Sequence, residues 1–265
     1  MLAKIHPVAL ATNFGPMALP TLLCIHGFPL DGSLWQPQVQ GLAGAAHVLA
    51  PDLRGFGADR RPVPKVMTME AFAEDLMELL DRTGIERAVL CGLSMGGYVA
   101  MAFTERWPER VQGLIFCNTR STADNDAGKA AREQTALDAL SKGACVIARA
   151  MVPKVLSQRM RSEHPAEAQR IEAIMARQRP ESIAAASRGM ALRPDRTASL
   201  RRVHVPALIV TGSSDTLMPL ETSEAMQHAM PGSQLVVING AAHLSSAEAP
   251  AEFNTHVARF LSRFR

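Results

Sequence analysis

Hydrophobic residues in this chain fall into short, nearly uninterrupted runs, separated by longer stretches where they return every three or four positions. Runs at 21–25, 46–50, 87–91, 111–117, 207–211 and 234–238 have the length of strands buried on both faces. Between them, the segment 69–82 places Met69, Phe72, Leu76, Leu79 and Leu80 on one helical side. The C-terminal stretch does the same with Phe253, Val257, Phe260, Leu261 and Phe264. Strands alternating with such helices predict an α/β architecture, a mostly parallel sheet covered on both faces. Residues 5–12 offer material for one or two antiparallel edge strands.

The alternation stops between residues 119 and 200. No strand pattern is convincing there, and Gly143, Pro153, Pro165, Pro180 and Pro194 cut the segment into short helices. This predicts a core made of residues 1–118 and 201–265, with 119–200 inserted as a helical cap, or lid, over the sheet. Met151, Met160, Met175 and Met190 in the insertion are candidates for an adaptable apolar pocket, with ordinary packing as the plainer use.

Composition adds exclusions. Hydrophobic residues make up 47% of the 265 positions and charged residues 20%, ordinary for a soluble globule. The net charge of +3 comes without a Lys/Arg block, so neither nucleic acid nor a membrane is the expected partner. No signal-peptide core or membrane span interrupts the first residues, which points to the cytoplasm. Cys24, Cys91 and Cys117 end apolar runs and Cys145 lies in a helical stretch, so the cysteines read as small buried hydrophobes. No metal-ligand spacing, Walker loop or dinucleotide fingerprint is present, so no metal or cofactor is expected.

The chemistry-bearing residues sit where strands end. Ser94 stands in Gly92-Leu93-Ser94-Met95-Gly96, behind the run Ala88-Val89-Leu90-Cys91 and ahead of a helical stretch. Glycines on both sides leave room for a sharp strained bend that exposes the hydroxyl at the sheet's edge. The pattern alone is weak; its position between strand and helix gives it weight. A serine nucleophile needs a base and an orienting carboxylate. Asp215 and His243 follow the two last strands, so both fall at the same carboxyl edge, in chain order Ser, Asp, His.

Five motifs together resemble the α/β-hydrolase fold superfamily: His26-Gly27-Phe28-Pro29, Asp52-Leu53-Arg54-Gly55-Phe56-Gly57, Gly92-Leu93-Ser94-Met95-Gly96-Gly97, Gly212-Ser213-Ser214-Asp215 and Ala242-His243. The resemblance implies a mostly parallel sheet of eight strands, or slightly fewer, with the lid inserted after the sixth. It implies Ser94 as nucleophile, His243 as base and Asp215 as its orienting acid, with backbone N–H groups of Phe28 and Met95 holding the oxyanion. His26 is expected to hold the oxyanion loop, and Asp52 and Arg54 to brace theirs. Asp124 is a fallback acid, because some members place theirs after the sixth strand.

A serine nucleophile implies an acyl-enzyme, hence hydrolysis of small carboxylic esters or lactones, and the lid is similar to those of carboxylesterases and the 3-oxoadipate enol-lactonase group. Carbon–carbon bond hydrolysis, acyl or peroxide transfer on the same scaffold, and a non-catalytic receptor stay open as alternatives, as does a homo-oligomer. Leu30, Trp35, Leu217 and Leu244 are candidate pocket walls by proximity to the motifs. Arg120 has two readings: a salt bridge to Asp124 or Asp126 at the lid hinge, or a guanidinium that pairs with a substrate carboxylate.

Overall fold

In the computed structural model, which describes residues 19–265, six strands form one parallel sheet. The strands are β1 (Thr21–Ile25), β2 (His47–Leu49), β3 (Ala88–Leu93), β4 (Val111–Cys117), β5 (Ala207–Gly212) and β6 (Gln234–Ile238). Their spatial order is β2-β1-β3-β4-β5-β6. The edge strands expected near residues 5–12, and with them the full strand count, lie outside the described residues.

Helices α1 (Gln36–Gly41), α2 (Met69–Arg82) and α3 (Met95–Arg106) connect the first four strands. The α2 stripe behaves as its spacing predicts: Met69, Phe72, Leu76, Leu79 and Leu80 are all buried. Thr68 caps that helix by accepting from the Ala71 N–H at 3.2 Å. Burying each large apolar side chain of such a stripe stabilises the fold by about 1.5–3 kcal/mol.

Between β4 and β5 the chain is helical, with α4 (Asp126–Lys142), α5 (Ala144–Val155), α6 (Gln158–Glu163), α7 (Pro165–Ala176), α8 (Pro180–Leu192) and α9 (Thr197–Leu200). After β5 come α10 (Leu220–Ala229), β6, α11 (Ser245–Glu248) and α12 (Pro250–Leu261). Two apolar cores flank the sheet. One packs α2 and α3 with Leu23, Leu90 and Phe116, the other packs α12 with Leu22, Val89, Ile115 and Val210. Cys24, Cys91 and Cys117 are buried in the second core, and Cys145 is exposed. Among the described residues no helix is long and apolar enough to cross a membrane.

Chain direction sets where a crevice can open. From β1 the chain moves outward to β2, then returns to place β3 on the other side of β1. The loops leaving β1 and β3 therefore diverge at a switch point, where parallel sheets open a crevice beyond their carboxyl ends. Phe28 and Ser94 lie on those two loops.

Candidate active site

Ser94 joins β3 to α3 with φ 52° and ψ −113°, a left-handed conformation that a non-glycine residue adopts only under constraint. The constraint comes from β4. The Ser94 N–H donates to the Cys117 carbonyl at 2.9 Å, and the Thr119 hydroxyl donates to the Ser94 carbonyl at 2.8 Å. The bend also needs its glycines. A methyl on Gly92 would strike the Gly96 carbonyl, and one on Gly96 would strike the Ile25 carbonyl. Close approach of α3 to β1 and β3 is thus possible only because both positions lack a side chain.

Asp215 and His243 come from the loops after β5 and β6. Nδ1–H of His243 donates to the Asp215 carboxylate at Oδ2, 2.9 Å away, which leaves Nε2 as the ring nitrogen not engaged by that pair. The other carboxylate oxygen accepts the backbone N–H groups of Leu217 at 2.9 Å and Met218 at 3.0 Å. Burial on its own would raise the Asp215 pKa. Hydrogen bonds from His243 and Asn118, with the Met218 N–H, outweigh it and hold the carboxylate below its ordinary value.

Ser94 and His243 line one cavity of about 450 Å³, with Asp215 buried behind the imidazole. Among the described residues no hydrogen bond joins the Ser94 hydroxyl to His243; such contacts often tighten only when substrate binds. A smaller cavity, of about 250 Å³, lies by the amino ends of β4 and β5 against Met101, Val111 and Val205, away from these residues.

A family model described as alpha/beta hydrolase fold matches residues 20–250. The chain belongs to the alpha/beta hydrolase fold family. With its named enol-lactonase relatives, that membership makes it a hydrolase. It is similar to a thermophilic esterase from Thermogutta terrifontis, solved with malate bound: 39% identity, TM-score 0.90, covering 94% of this chain and 91% of that one. It is also similar to the enol-lactonase from Burkholderia xenovorans LB400, at 27% identity and TM-score 0.85 over 92% of each chain. A curated relative, 3-oxoadipate enol-lactonase 2 of Acinetobacter baylyi, is 26% identical over 95% of this chain and 92% of its own.

Within the hydrolase fold the remaining expected residues separate clearly. Phe28, Arg120 and Leu217 line the cavity with Ser94 and His243. The Met95 side chain is fully buried in the first core and is not part of the cavity lining. Leu30, Trp35 and Leu244 are not cavity walls. All three are buried in the second core, where Trp35 packs on Phe253 of α12 at 6.2 Å between ring centroids. The loop after β1 turns inward at Asp31, which carries Leu34 and Trp35 into that core. Of the four insertion methionines, Met151 and Met190 line the cavity, while Met160 and Met175 are core.

His26 is buried. Its Nδ1–H donates to the Gly27 carbonyl at 2.9 Å, and its Nε2 accepts the Leu53 N–H at 3.1 Å. Burial depresses its pKa, so the ring stays neutral as it ties the β1 loop to the β2 loop. Asp52 accepts the N–H groups of Gly32 at 2.8 Å and Ala58 at 2.7 Å, and Arg54 pairs with Asp75. Both brace loops.

Asn118 escaped the sequence reading. At φ 45° it ends β4, and its Nδ2 donates to Asp215 Oδ2 at 2.9 Å and to the Ala242 carbonyl at 3.2 Å. Its Oδ1 accepts the Ser245 hydroxyl at 2.6 Å. The one available signal was an asparagine directly after a strand, a residue type that tolerates a left-handed turn.

Asp124, the fallback acid, does not face His243. It is buried and accepts hydrogen bonds from Arg193, at 2.8 Å to each oxygen, from Arg132 at 3.1 Å and from Arg120. Burial raises its pKa, but the arginines outweigh burial and hold the carboxylate well below the ordinary range. A depressed folded pKa means stability present above the unfolded value of 3.8 and lost as pH falls through the folded one. Asp124→Asn is therefore expected to cost about 3–5 kcal/mol at neutral pH, because it strands buried guanidinium charge. Urea unfolding at falling pH checks this: the gap between parent and variant should narrow below the ordinary carboxylate range.

Proposed function

We propose that this protein hydrolyses carboxylic esters or lactones of small molecules through a serine acyl-enzyme. Ser94 Oγ adds to the carbonyl carbon as His243 Nε2 takes its proton. The tetrahedral intermediate collapses, the carbon–oxygen bond to the leaving group breaks, and the imidazolium returns the proton to that oxygen. A water molecule, deprotonated by the same ring, then splits the acyl-enzyme and restores Ser94. Asp215 stays ionised throughout, orients the ring and stabilises its cationic form.

The observation that carries this reading is the buried Asp215–His243 pair opening onto the same cavity as a serine in a strained strand-to-helix turn. Supporting it, the N–H groups of Phe28 and Met95 have no hydrogen-bond partner among the described residues, so two donors are free for an oxyanion. The amino end of α3 adds its dipole at the same point. Removing one donor of this kind typically costs about 3 kcal/mol of transition-state stabilisation. Esters and lactones rank ahead of amides because an alkoxide leaves more readily than an amine, and the named esterase and enol-lactonase relatives point the same way.

The test is a panel of p-nitrophenyl esters of rising chain length with several lactones, alongside labelling by a fluorophosphonate. Turnover of at least one class, with a single covalent adduct on Ser94, is the expected result. Complete inertness toward both the panel and the probe would overturn the proposal.

A further inference from the structure

The cavity lining has a charge that ester cleavage does not call for. Arg120, Arg132 and Lys154 line the same cavity as Ser94 and His243. Two acids share that wall, and both are committed. Asp124 has four acceptor positions, and four donors fill them: Arg120 Nη2, Arg132 Nε and both terminal nitrogens of Arg193. Asp138 is taken by Lys142 at 2.9 Å and Gln134 at 3.0 Å.

One carboxylate facing three guanidiniums leaves two positive charges uncompensated. Lys154 adds a third, with no ion-pair partner among the described residues. Arg120 Nε is buried and has no hydrogen-bond partner among them either. Much of the remaining wall is apolar, with Phe28, Met151, Met190 and Leu217. Arg120 and Arg132 are partly buried, and excess positive charge there is stabilised when an anion joins it.

We infer that Arg120, Arg132 and Lys154 form a carboxylate-binding subsite, and that the substrates carry a free carboxylate remote from the ester or lactone carbonyl attacked by Ser94. This rests on the serine-hydrolase reading above. Arg120 pairs with Asp124 and still serves the subsite, because Asp124 is shared too widely to neutralise it. Planar guanidiniums and a flexible ammonium lining one cavity suit an oxygen pair that arrives on the end of a short chain. Hydrolysis of an acyclic substrate with that carboxylate on its acyl part releases an alcohol and a dicarboxylate.

The experiment compares ethanol release from monoethyl glutarate with release from its neutral amide, ethyl glutaramate, which has the same length and shape. The kcat/KM ratio should favour the anion by about ten-fold at low ionic strength, the worth of one charge-assisted hydrogen bond in a partly hydrated site. That ratio should fall toward unity in Arg132→Met and in Lys154→Met, and should shrink as sodium chloride is added. Lys154 is exposed and holds no other residue in place, so its variant reads the subsite even if Arg132→Met fails to fold.

A wild-type ratio at or below one, or a ratio unmoved by Lys154→Met, overturns the subsite while amide-ester turnover leaves the hydrolase reading standing. If neither ester is cleaved, calorimetric binding to Ser94→Ala still decides the matter. Glutarate should bind more tightly than glutaramate and lose that advantage when Lys154 is also replaced; equal affinities overturn the inference.

Discussion

Ser94→Ala is expected to lower kcat by about five orders of magnitude on any ester the protein turns over, with little change in KM. On the proposed mechanism the hydroxyl is the atom that bonds to the substrate, and alanine has nothing to replace it. The cavity, the Asp215–His243 pair and the free N–H groups of Phe28 and Met95 do not depend on that oxygen. The variant should therefore still bind substrate and retain a trace of catalysis from binding and oxyanion stabilisation. A second substitution separates chemistry from folding. Ser94→Gly removes the same hydroxyl but suits φ 52°, where a side chain costs roughly 1–3 kcal/mol. It should be as inactive as the alanine variant yet at least as stable as the parent in thermal melting. An active Ser94→Gly would mean that the nucleophile lies elsewhere.

Much of this architecture is legible in the sequence because its signals are local. The runs at 111–117 and 234–238 coincide with β4 and β6, since short, mostly apolar stretches bounded by turn residues have few alternatives, although β6 is buried only at Ile238. Two strands run further than expected. β3 continues to Leu93 and β5 to Gly212, because Gly92 and Gly212 read as turn residues while in fact they are strand positions where other backbone packs too closely for a side chain.

The serine, aspartate and histidine were findable for the same reason: each follows a strand, and a parallel sheet gathers such positions along one edge. Asn118 follows a strand too, but its partner Asp215 is 97 positions away, and no spacing rule links them. The cavity wall shows the other limit. Leu30, Trp35 and Leu244 sit beside motifs in sequence and face the core, whereas Arg132, Ile147 and Met151 reach the cavity from α4 and α5. How two inserted helices pack over a sheet depends on contacts between distant faces, which periodicity does not specify.

Asp215→Asn should lower kcat by about four orders of magnitude while leaving the protein folded. The loss follows from the donors that surround this side chain. Its Oδ1 accepts two backbone N–H groups, and its Oδ2 accepts His243 Nδ1–H and Asn118 Nδ2. An asparagine can keep only one oxygen. With that oxygen toward Leu217 and Met218, its NH₂ faces the imidazole, and Nδ1 must become the acceptor. The proton then moves to Nε2, the atom that has to receive the Ser94 proton, so the base is lost with its geometry intact. Rotation of the Asn118 amide offers no escape, since its oxygen is engaged by the Ser245 hydroxyl and its nitrogen by the Ala242 carbonyl. Kinetics on the best ester of the panel, with melting temperature as the control for folding, checks the expectation. Retention of more than about a tenth of parental kcat would show that the imidazole keeps its tautomer without Asp215. Asp124 could not explain such retention, for its carboxylate is already filled by Arg120, Arg132 and Arg193.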